Sequence, residues 1–155
     1  MRDQLDDFLR SRKQQATRPD IDWQAKKNAW VGSVERLYEF VREILRDSIE
    51  SEDITLRTFH TDVTEDFVGT YSVPVLEMTV GNERVQFLPK GITVIGASGR
   101  VDIRGERDSV TLVRDEQDVN SGWSVVLQRV PNLRTAPLDG RSLQYALERV
   151  MLPVA

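Results

Sequence analysis

Apolar and polar residues alternate along most of residues 54–129, in stretches separated by turn-forming residues such as those at 81–83, 89–91 and 120–122. A period of two is typical of β-strands that bury one face. Most connectors are too short for the crossover that a parallel pair requires, so neighbouring strands are expected to be antiparallel. The pattern predicts an antiparallel meander of six or seven strands. The alternating stretches are residues 54–63, 73–80, 84–88, 92–95, 100–104, 110–114 and 123–128.

The period changes to that of a helix between residues 22 and 48. An apolar stripe with steps of four, three, four and three residues indicates an amphipathic helix, and Asp20 or Asp22 can cap its first turn. The stripe is shorter than the three or four heptads typical of a coiled coil. We therefore expect it to pack within the domain, with a partner helix as the alternative. The stripe consists of Trp30, Val34, Leu37, Val41 and Ile44.

Shorter helices are predicted near the two ends of the chain. Residues 3–17 place Leu5, Phe8 and Leu9 on one side of a helix. A helix over residues 139–151 would begin at Asp139, because aspartate is a favourable N-cap residue. Leu138 and the leucine at 143 have the spacing of a hydrophobic staple around that cap. The residues before it, 131–137, are expected to form a loop.

Together these elements predict one α+β domain over residues 1–155. Its parts are a helical segment at 1–50, the antiparallel meander at 54–129 and the C-terminal helix at 139–151. The two N-terminal helices and the C-terminal helix are expected to pack on one face of the sheet. Antiparallel sheets commonly leave the other face in contact with water, so that face is expected to be partly open.

The composition narrows the class of protein. Of the 155 residues, 39% are hydrophobic and 30% are charged, as in a soluble globular protein. No apolar run approaches the roughly 20 residues that cross a bilayer, and the N-terminal residues lack the apolar segment of a secretory signal. The chain has no cysteine. We therefore expect a cytoplasmic protein that does not bind membranes and has neither disulfides nor thiol chemistry.

The distribution of charge argues against nucleic-acid binding. The formal net charge is −4, and acidic residues cluster at 47–53, 62–66 and 115–118. Proteins that bind nucleic acids usually carry a basic stripe that neutralises phosphates. The arginines within residues 100–108 alternate with acidic residues and form no such stripe.

No motif assigns a catalytic or cofactor site. The only histidine, His60, is explained by a polar position on an exposed strand. The glycines at 91, 96 and 99 lack the Lys-Ser/Thr pair of a phosphate loop and lead into a strand pattern, which leaves an anion-binding backbone nest at 96–99 as a weak alternative. The acidic clusters lack the ligand spacing of an EF-hand. We therefore expect no cofactor and no metal site, and we assign no catalytic residue.

The strand pattern places a group of polar side chains on the face of the sheet opposite the core. Glu77 points away from the core if Leu76 and Met78 point toward it, and the same alternation applies to the neighbouring strands. Trp123 begins a strand, where it can be partly exposed, and aromatic residues are enriched at interfaces. Ion pairs on a solvated face are the alternative explanation. The candidate partner-binding residues are Glu77, Arg84, Gln86, Arg100, Asp102, Arg104 and Trp123.

These features favour a non-catalytic protein-interaction domain, such as an immunity-type or antitoxin-like neutraliser or an accessory subunit of a larger complex. A first alternative is a sensor of a small-molecule ligand, with a pocket between the long helix and the sheet lined by Trp30, Phe87 and Trp123. A second alternative is an enzyme based on carboxylates. Exposed sheet edges would also permit a homo-oligomer. The layout resembles that of small bacterial proteins, without a motif of any particular family.

Overall fold

The structure, a computed structural model, describes residues 2–17, 22–66, 68–92, 99–114 and 121–153. In these residues seven strands form one antiparallel sheet and follow one another in chain order, so the predicted α+β meander is confirmed. The strands are β1 (Thr55–Glu65), β2 (Gly69–Val80), β3 (Glu83–Gly91), β4 (Arg100–Arg104), β5 (Ser109–Arg114), β6 (Trp123–Gln128) and β7 (Arg134–Pro137). The helices are α1 (Arg2–Thr17), α2 (Trp23–Ile44), α3 (Arg46–Glu50) and α4 (Gly140–Val150).

The long helix begins where the sequence predicts it. Asp22 is the N-cap of α2, and its carboxylate accepts a hydrogen bond of 3.0 Å from the backbone N–H of Ala25, which satisfies a donor that the first helical turn leaves without an intrahelical partner. The continuous helix expected over 22–48 is divided in the structure. α2 ends at Ile44, Leu45 departs from helical geometry, and the short α3 follows.

One apolar core lies between the sheet and two of the helices. The alternation along the strands directs one set of side chains toward the apolar stripe of α2 and the buried face of α4. Burial of this set from water is the main stabilising contribution to the fold. The helical members are Trp30, Val34, Leu37, Tyr38, Val41, Leu143, Ala146 and Val150, and the central strand members are Leu76, Met78, Val85, Phe87, Val101, Ile103, Val110, Leu112 and Val125.

The first helix forms over the predicted residues, but its apolar side chains lie outside this core. Leu5, Phe8 and Leu9 are 60%, 59% and 54% exposed. The helical cover of the sheet therefore comes from α2 and α4, whereas α1 presents its apolar side to solvent.

Two segments that the sequence predicts as irregular belong to strands. β3 continues through 89–91, with a register shift against β4 between Pro89 and Gly91. This irregularity accommodates a proline, which cannot donate to the ladder. The expected loop at 131–137 contains β7, a four-residue edge strand that pairs with β6, and an edge is where a strand tolerates proline. Of the strand expected at 92–95, Ile92 lies outside β3 and 93–95 lie outside the described residues.

The side chain of Tyr38 fixes α2 to the sheet at the point where β2 and β3 separate. Their pairing ends at Leu76 and Phe87, and backbone carbonyls near this end are within reach of a donor from the helix. The buried Tyr38 hydroxyl lies 2.7 Å from the Pro74 carbonyl oxygen and 3.1 Å from that of Phe87, and it donates to both. Burial raises the pKa of Tyr38 well above its usual value, so the phenol stays protonated and keeps donating.

Candidate functional site on the sheet face opposite the helices

The face of the sheet turned away from α2 and α4 carries most of the predicted site residues. Strand register brings Glu77 opposite both Arg57 and Gln86, and Gln86 opposite Arg104. Further along, Asp102 lies opposite Leu88 and Thr111. Directly opposed side chains on one face of a sheet are close enough to interact. We call this surface the open face, and its polar members include Arg57, Glu77, Arg84, Gln86, Arg100, Asp102, Arg104, Thr111 and Arg129.

The first polar cluster of the open face surrounds the carboxylate of Glu77. Its Oε1 accepts a hydrogen bond of 2.8 Å from Nε of Arg57, and its Oε2 accepts one of 2.8 Å from Nε2 of Gln86. The Glu77 side chain is only 5% exposed, whereas that of Arg57 is 67% exposed. These two donors, Arg57 first, hold the pKa of the Glu77 carboxyl below its usual range although burial opposes ionisation. A buried carboxylate thus anchors an arginine whose guanidinium reaches solvent.

The second polar cluster surrounds the carboxylate of Asp102. Arg100 binds it with two charge-assisted hydrogen bonds, of 2.8 Å from Nε and 3.0 Å from Nη2. The hydroxyl of Thr111 lies 3.3 Å from Oδ1 of Asp102 and donates to it. Thr111 in turn accepts a hydrogen bond of 3.0 Å from Nη2 of Arg129. Asp102 and Thr111 are buried. Their hydrogen bonds therefore hold the guanidinium groups of Arg100 and Arg129 in place on this face.

Apolar side chains lie among these polar clusters. On β2, Val75 is buried although it alternates with the core residue Leu76. Four further residues of the same face are half-buried, and the guanidinium of Arg57 lies over one of them, 5.0 Å from the ring centroid of Phe59. The open face is therefore a mixed surface with ordered arginines and apolar contact area. The half-buried residues are Phe59, Leu88, Val113 and Val126.

The open face is richer in cations than the rest of the molecule. Its described polar residues include five arginines, whereas its two carboxylates are buried and already accept hydrogen bonds from side chains of the same face. The whole chain has a net charge of −4, so acidic residues predominate elsewhere. Guanidinium groups bind carboxylates with two parallel hydrogen bonds. The surface is therefore chemically suited to an acidic partner.

The structure separates the predicted candidates into two groups. Glu77 contacts Gln86, and Arg100 contacts Asp102. Arg84 and Arg104 are exposed on the same face. The last candidate lies on the other face.

Trp123 is only 2% exposed, and its ring centroid lies 5.9 Å from that of Trp30 in the core. The expectation of partial exposure is therefore wrong. Trp123 lies two residues before the core residue Val125 in β6, so both side chains face the core although Trp123 begins the strand.

Three members of the open face are not among the candidates that the sequence suggested. Arg57 lies on β1, but its partner could be identified only from the register between β1 and β2. The alternation places Thr111 on the side opposite Val110 and Leu112, but a neutral residue in a largely apolar strand gave no reason to select it. Arg129 follows the last residue of β6, where no alternation remains to indicate its direction.

The residues expected to line a ligand pocket are packed in the core. Trp30, Phe87 and Trp123 are each at most 2% exposed, and Phe87 has an edge-on contact with Tyr38 at a centroid distance of 6.3 Å. They fill the space between α2 and the sheet. A cavity of about 820 Å³ lies elsewhere, between the C-terminal end of α2 and α4. We call it the helix groove, and its lining includes Ile44, Leu45, Val80, Leu143, Leu147 and Met151.

Among the described residues, no three His, Asp or Glu side chains are grouped so that they could hold a metal ion. His60 is exposed on β1, beside a small depression that Glu39 and Arg42 also line. No helix in the described part of the chain is long and apolar enough to span a bilayer. No protein-family model matches the chain, and no curated protein or solved structure is significantly similar to it.

Proposed function

We propose that the protein is a non-catalytic cytoplasmic protein-interaction domain whose open face binds an acidic surface of a partner protein. The observation that carries this proposal is the arrangement of five arginines above two buried carboxylates on one sheet face. Binding of this kind suits a neutraliser of another protein or an accessory subunit of a complex.

The geometry supports recognition in two ways. Two of the arginines are held by buried carboxylates, since Glu77 orients Arg57 and Asp102 orients Arg100. Side chains that are already ordered lose less conformational entropy when a partner binds. The half-buried apolar residues between the clusters add contact area that a partner can desolvate, and arginine and aromatic residues are enriched at such interfaces.

Charge reversal on the open face tests the proposal. The double variant Arg84→Glu/Arg104→Glu changes two exposed residues and leaves the buried carboxylates and their bonded arginines intact. The matched control is Arg36→Glu/Arg46→Glu, which makes the same change in net charge on the helices. Both variants should keep the wild-type circular dichroism spectrum and a free energy of unfolding within about 0.5 kcal/mol of wild type, because surface substitutions usually have small effects.

Binding is measured by affinity purification of the tagged protein from its source organism, with and without nuclease treatment, followed by quantitative mass spectrometry. A stoichiometric protein partner should be captured by the wild type and by the helix control, and its amount should fall at least tenfold with Arg84→Glu/Arg104→Glu. Equal capture by all three proteins would contradict the proposed surface. Loss of the captured material on nuclease treatment would instead identify a nucleic acid as the acidic partner.

A further inference from the structure

The two outer strands of the sheet differ in how far their free edges are protected. β7 has four residues and ends at Pro137, and both a short edge strand and a proline limit pairing with another chain. β1 has 11 residues without a proline, and in the described part of the chain it pairs with β2 alone, in one continuous register. β1 therefore presents a long regular edge whose outward backbone N–H and C=O groups can pair with a further strand.

The central segment of this edge, residues 58–64, is accessible. Five of its seven residues are exposed, and the apolar Phe59 and Val63 are half-buried. α2 approaches the segment from the helical side of the sheet, where Arg42 donates a hydrogen bond of 2.8 Å to the hydroxyl of Thr58. This contact leaves the outer edge of β1 uncovered by the helix.

The side chains of residues 58–64 match one another when β1 is paired antiparallel with the β1 of a second copy about Thr61. In such a symmetric pair, each residue lies opposite the one that is equally far from Thr61 in the other copy. Phe59 then faces Val63, and Thr58 faces Thr64. An aromatic residue opposite a β-branched one and a threonine opposite a threonine are both pairs that stabilise antiparallel strands. The sequence of β1 is thus complementary to itself, which identifies a second copy as the strand that fits this edge.

Polar residues distinguish this register from the two adjacent ones. About Thr61, an imidazole N–H of His60 can donate to the carboxylate of Asp62, and the pair occurs twice. With the axis on Asp62, the two carboxylates would lie directly opposite each other, and like charges in that position destabilise a strand pair. With the axis on His60, the two imidazoles would face each other and Phe59 would lose its apolar partner. The register about Thr61 therefore has the best match of side chains.

We propose that two copies of this chain form a symmetric dimer by antiparallel pairing of their β1 edges, with Thr61 on the two-fold axis. The two sheets then make one continuous sheet with seven strands from each copy. The axis of such a pair is perpendicular to the sheet, so neither copy is turned over and both open faces lie on the same side. The dimer thus adds to the proposed function a second set of arginines on one surface.

Introduced cysteines test the register directly, because the chain has no cysteine of its own. Opposed residues of antiparallel strands have Cα atoms about 4.5–5.5 Å apart, a separation that a disulfide can bridge. Thr61→Cys should form an intermolecular disulfide under mild oxidation, since this residue lies opposite itself. Thr58→Cys and Thr64→Cys should each remain uncrosslinked alone and should crosslink when the two proteins are mixed. The control Thr55→Cys should remain uncrosslinked, because its opposite position lies beyond the end of β1.

Sedimentation velocity of the full chain tests the dimer and its charges. The wild type should sediment as a dimer. His60→Asp places a second carboxylate opposite Asp62 and should weaken dimerisation about tenfold, because like charges directly opposite each other destabilise a strand pair. His60→Asp/Asp62→His exchanges the two groups and should recover most of the lost affinity. Thr55→Asp adds the same charge outside residues 58–64 and should leave the dimer unchanged.

Each substituted residue is exposed, so circular dichroism spectra should match that of the wild type. A monomeric wild type would overturn the proposal. Crosslinking of Thr55→Cys as efficient as that of Thr61→Cys would also overturn it, because the contact would then have no defined register. A dimer that His60→Asp leaves unchanged would place the interface on another surface and would equally contradict pairing through β1.

Discussion

Glu77 shows how a single residue links the stability of the sheet to the character of its open face. Its carboxylate is buried, so its charge must be compensated by donors within the protein. Arg57 and Gln86 provide those donors from the strands on either side of β2. The same bonds that compensate the buried charge also hold Arg57 in place at the surface.

Glu77→Gln is expected to lower the free energy of unfolding by about 1.5–3 kcal/mol at pH 7, the range for hydrogen bonds to charged groups. A glutamine side chain cannot accept from both Arg57 and Gln86 with carboxylate oxygens, because one of its two terminal atoms is itself a donor. Glu50→Gln is the control, since Glu50 is exposed on α3. Urea unfolding of the three proteins gives the values, and an equal loss in both variants would contradict this role of Glu77.

The effect of Glu77→Gln should depend on pH. The pKa of Glu77 is lowered in the folded protein, so the folded state favours the charged form. This contribution is fully present above the ordinary glutamate pKa of about 4.3 and is lost as the pH falls through the lowered folded-state value. The difference in stability between wild type and Glu77→Gln should therefore shrink from pH 7 toward pH 3. A difference that stays constant over that range would show that the ion pair is not its source.

At the scale of elements, β7 and α4 are joined through the helix cap at Asp139. The Asp139 carboxylate accepts a hydrogen bond of 2.9 Å from the backbone N–H of Ser142, whose hydroxyl accepts one of 2.9 Å from the backbone N–H of Asp139. The Ser142 hydroxyl also donates to the carbonyl of Pro137, the last residue of β7. These bonds fix the direction in which α4 leaves the sheet and returns across β4–β6.

Asp139→Ala should lower the free energy of unfolding by about 1 kcal/mol, as is typical when an N-cap side chain is removed. Asp139→Asn keeps an oxygen acceptor for the Ser142 N–H and should lose much less, since asparagine is also a favourable N-cap residue. Chemical denaturation at pH 7 measures both. Equal losses in the two variants would indicate that the negative charge at the helix N-terminus, rather than the hydrogen bond, provides the stabilisation.

The elements that the sequence predicts well are those with a clear period and a recognisable cap. The stripe of α2 and the Asp139 cap of α4 are local signals, and the structure confirms both. β7 could not be predicted, because it has only four residues, ends in a proline and has only half-buried or exposed side chains. The exposure of the apolar side chains of α1 could not be predicted from the sequence either. An apolar stripe indicates that a face can be buried, but it does not name the surface that covers it.

In the candidate site, too, the features that depend on neighbouring residues could be predicted, and those that depend on residues far apart in the chain could not. Alternation alone assigned Glu77, Gln86, Arg100 and Asp102 to one face, because neighbouring strands share a pleat. The ion pair between Arg57 and Glu77 depends on residues twenty positions apart. Strand register specifies such a pair, and a single sequence gives no direct measure of register.

At the scale of the whole molecule, the open face and the helix groove lie on opposite sides of the core. The open face is on the side of the sheet away from α2 and α4, and the helix groove lies between those two helices. They share no residue of those named for either surface. A molecule that occupies the groove would therefore leave the open face accessible to a partner.

This separation predicts that substitutions in the helix groove leave partner binding at the open face unchanged. Arg84→Glu/Arg104→Glu should weaken partner binding at least tenfold, whereas Leu152→Asp, which changes a half-exposed residue of the groove, should bind the partner with unchanged affinity. Distant sites without shared contacts usually have additive effects within about 0.5 kcal/mol. Calorimetric titration of the identified partner into wild type and both variants measures the affinity per site. Weaker partner binding by Leu152→Asp would show that the partner also contacts the groove side of the molecule.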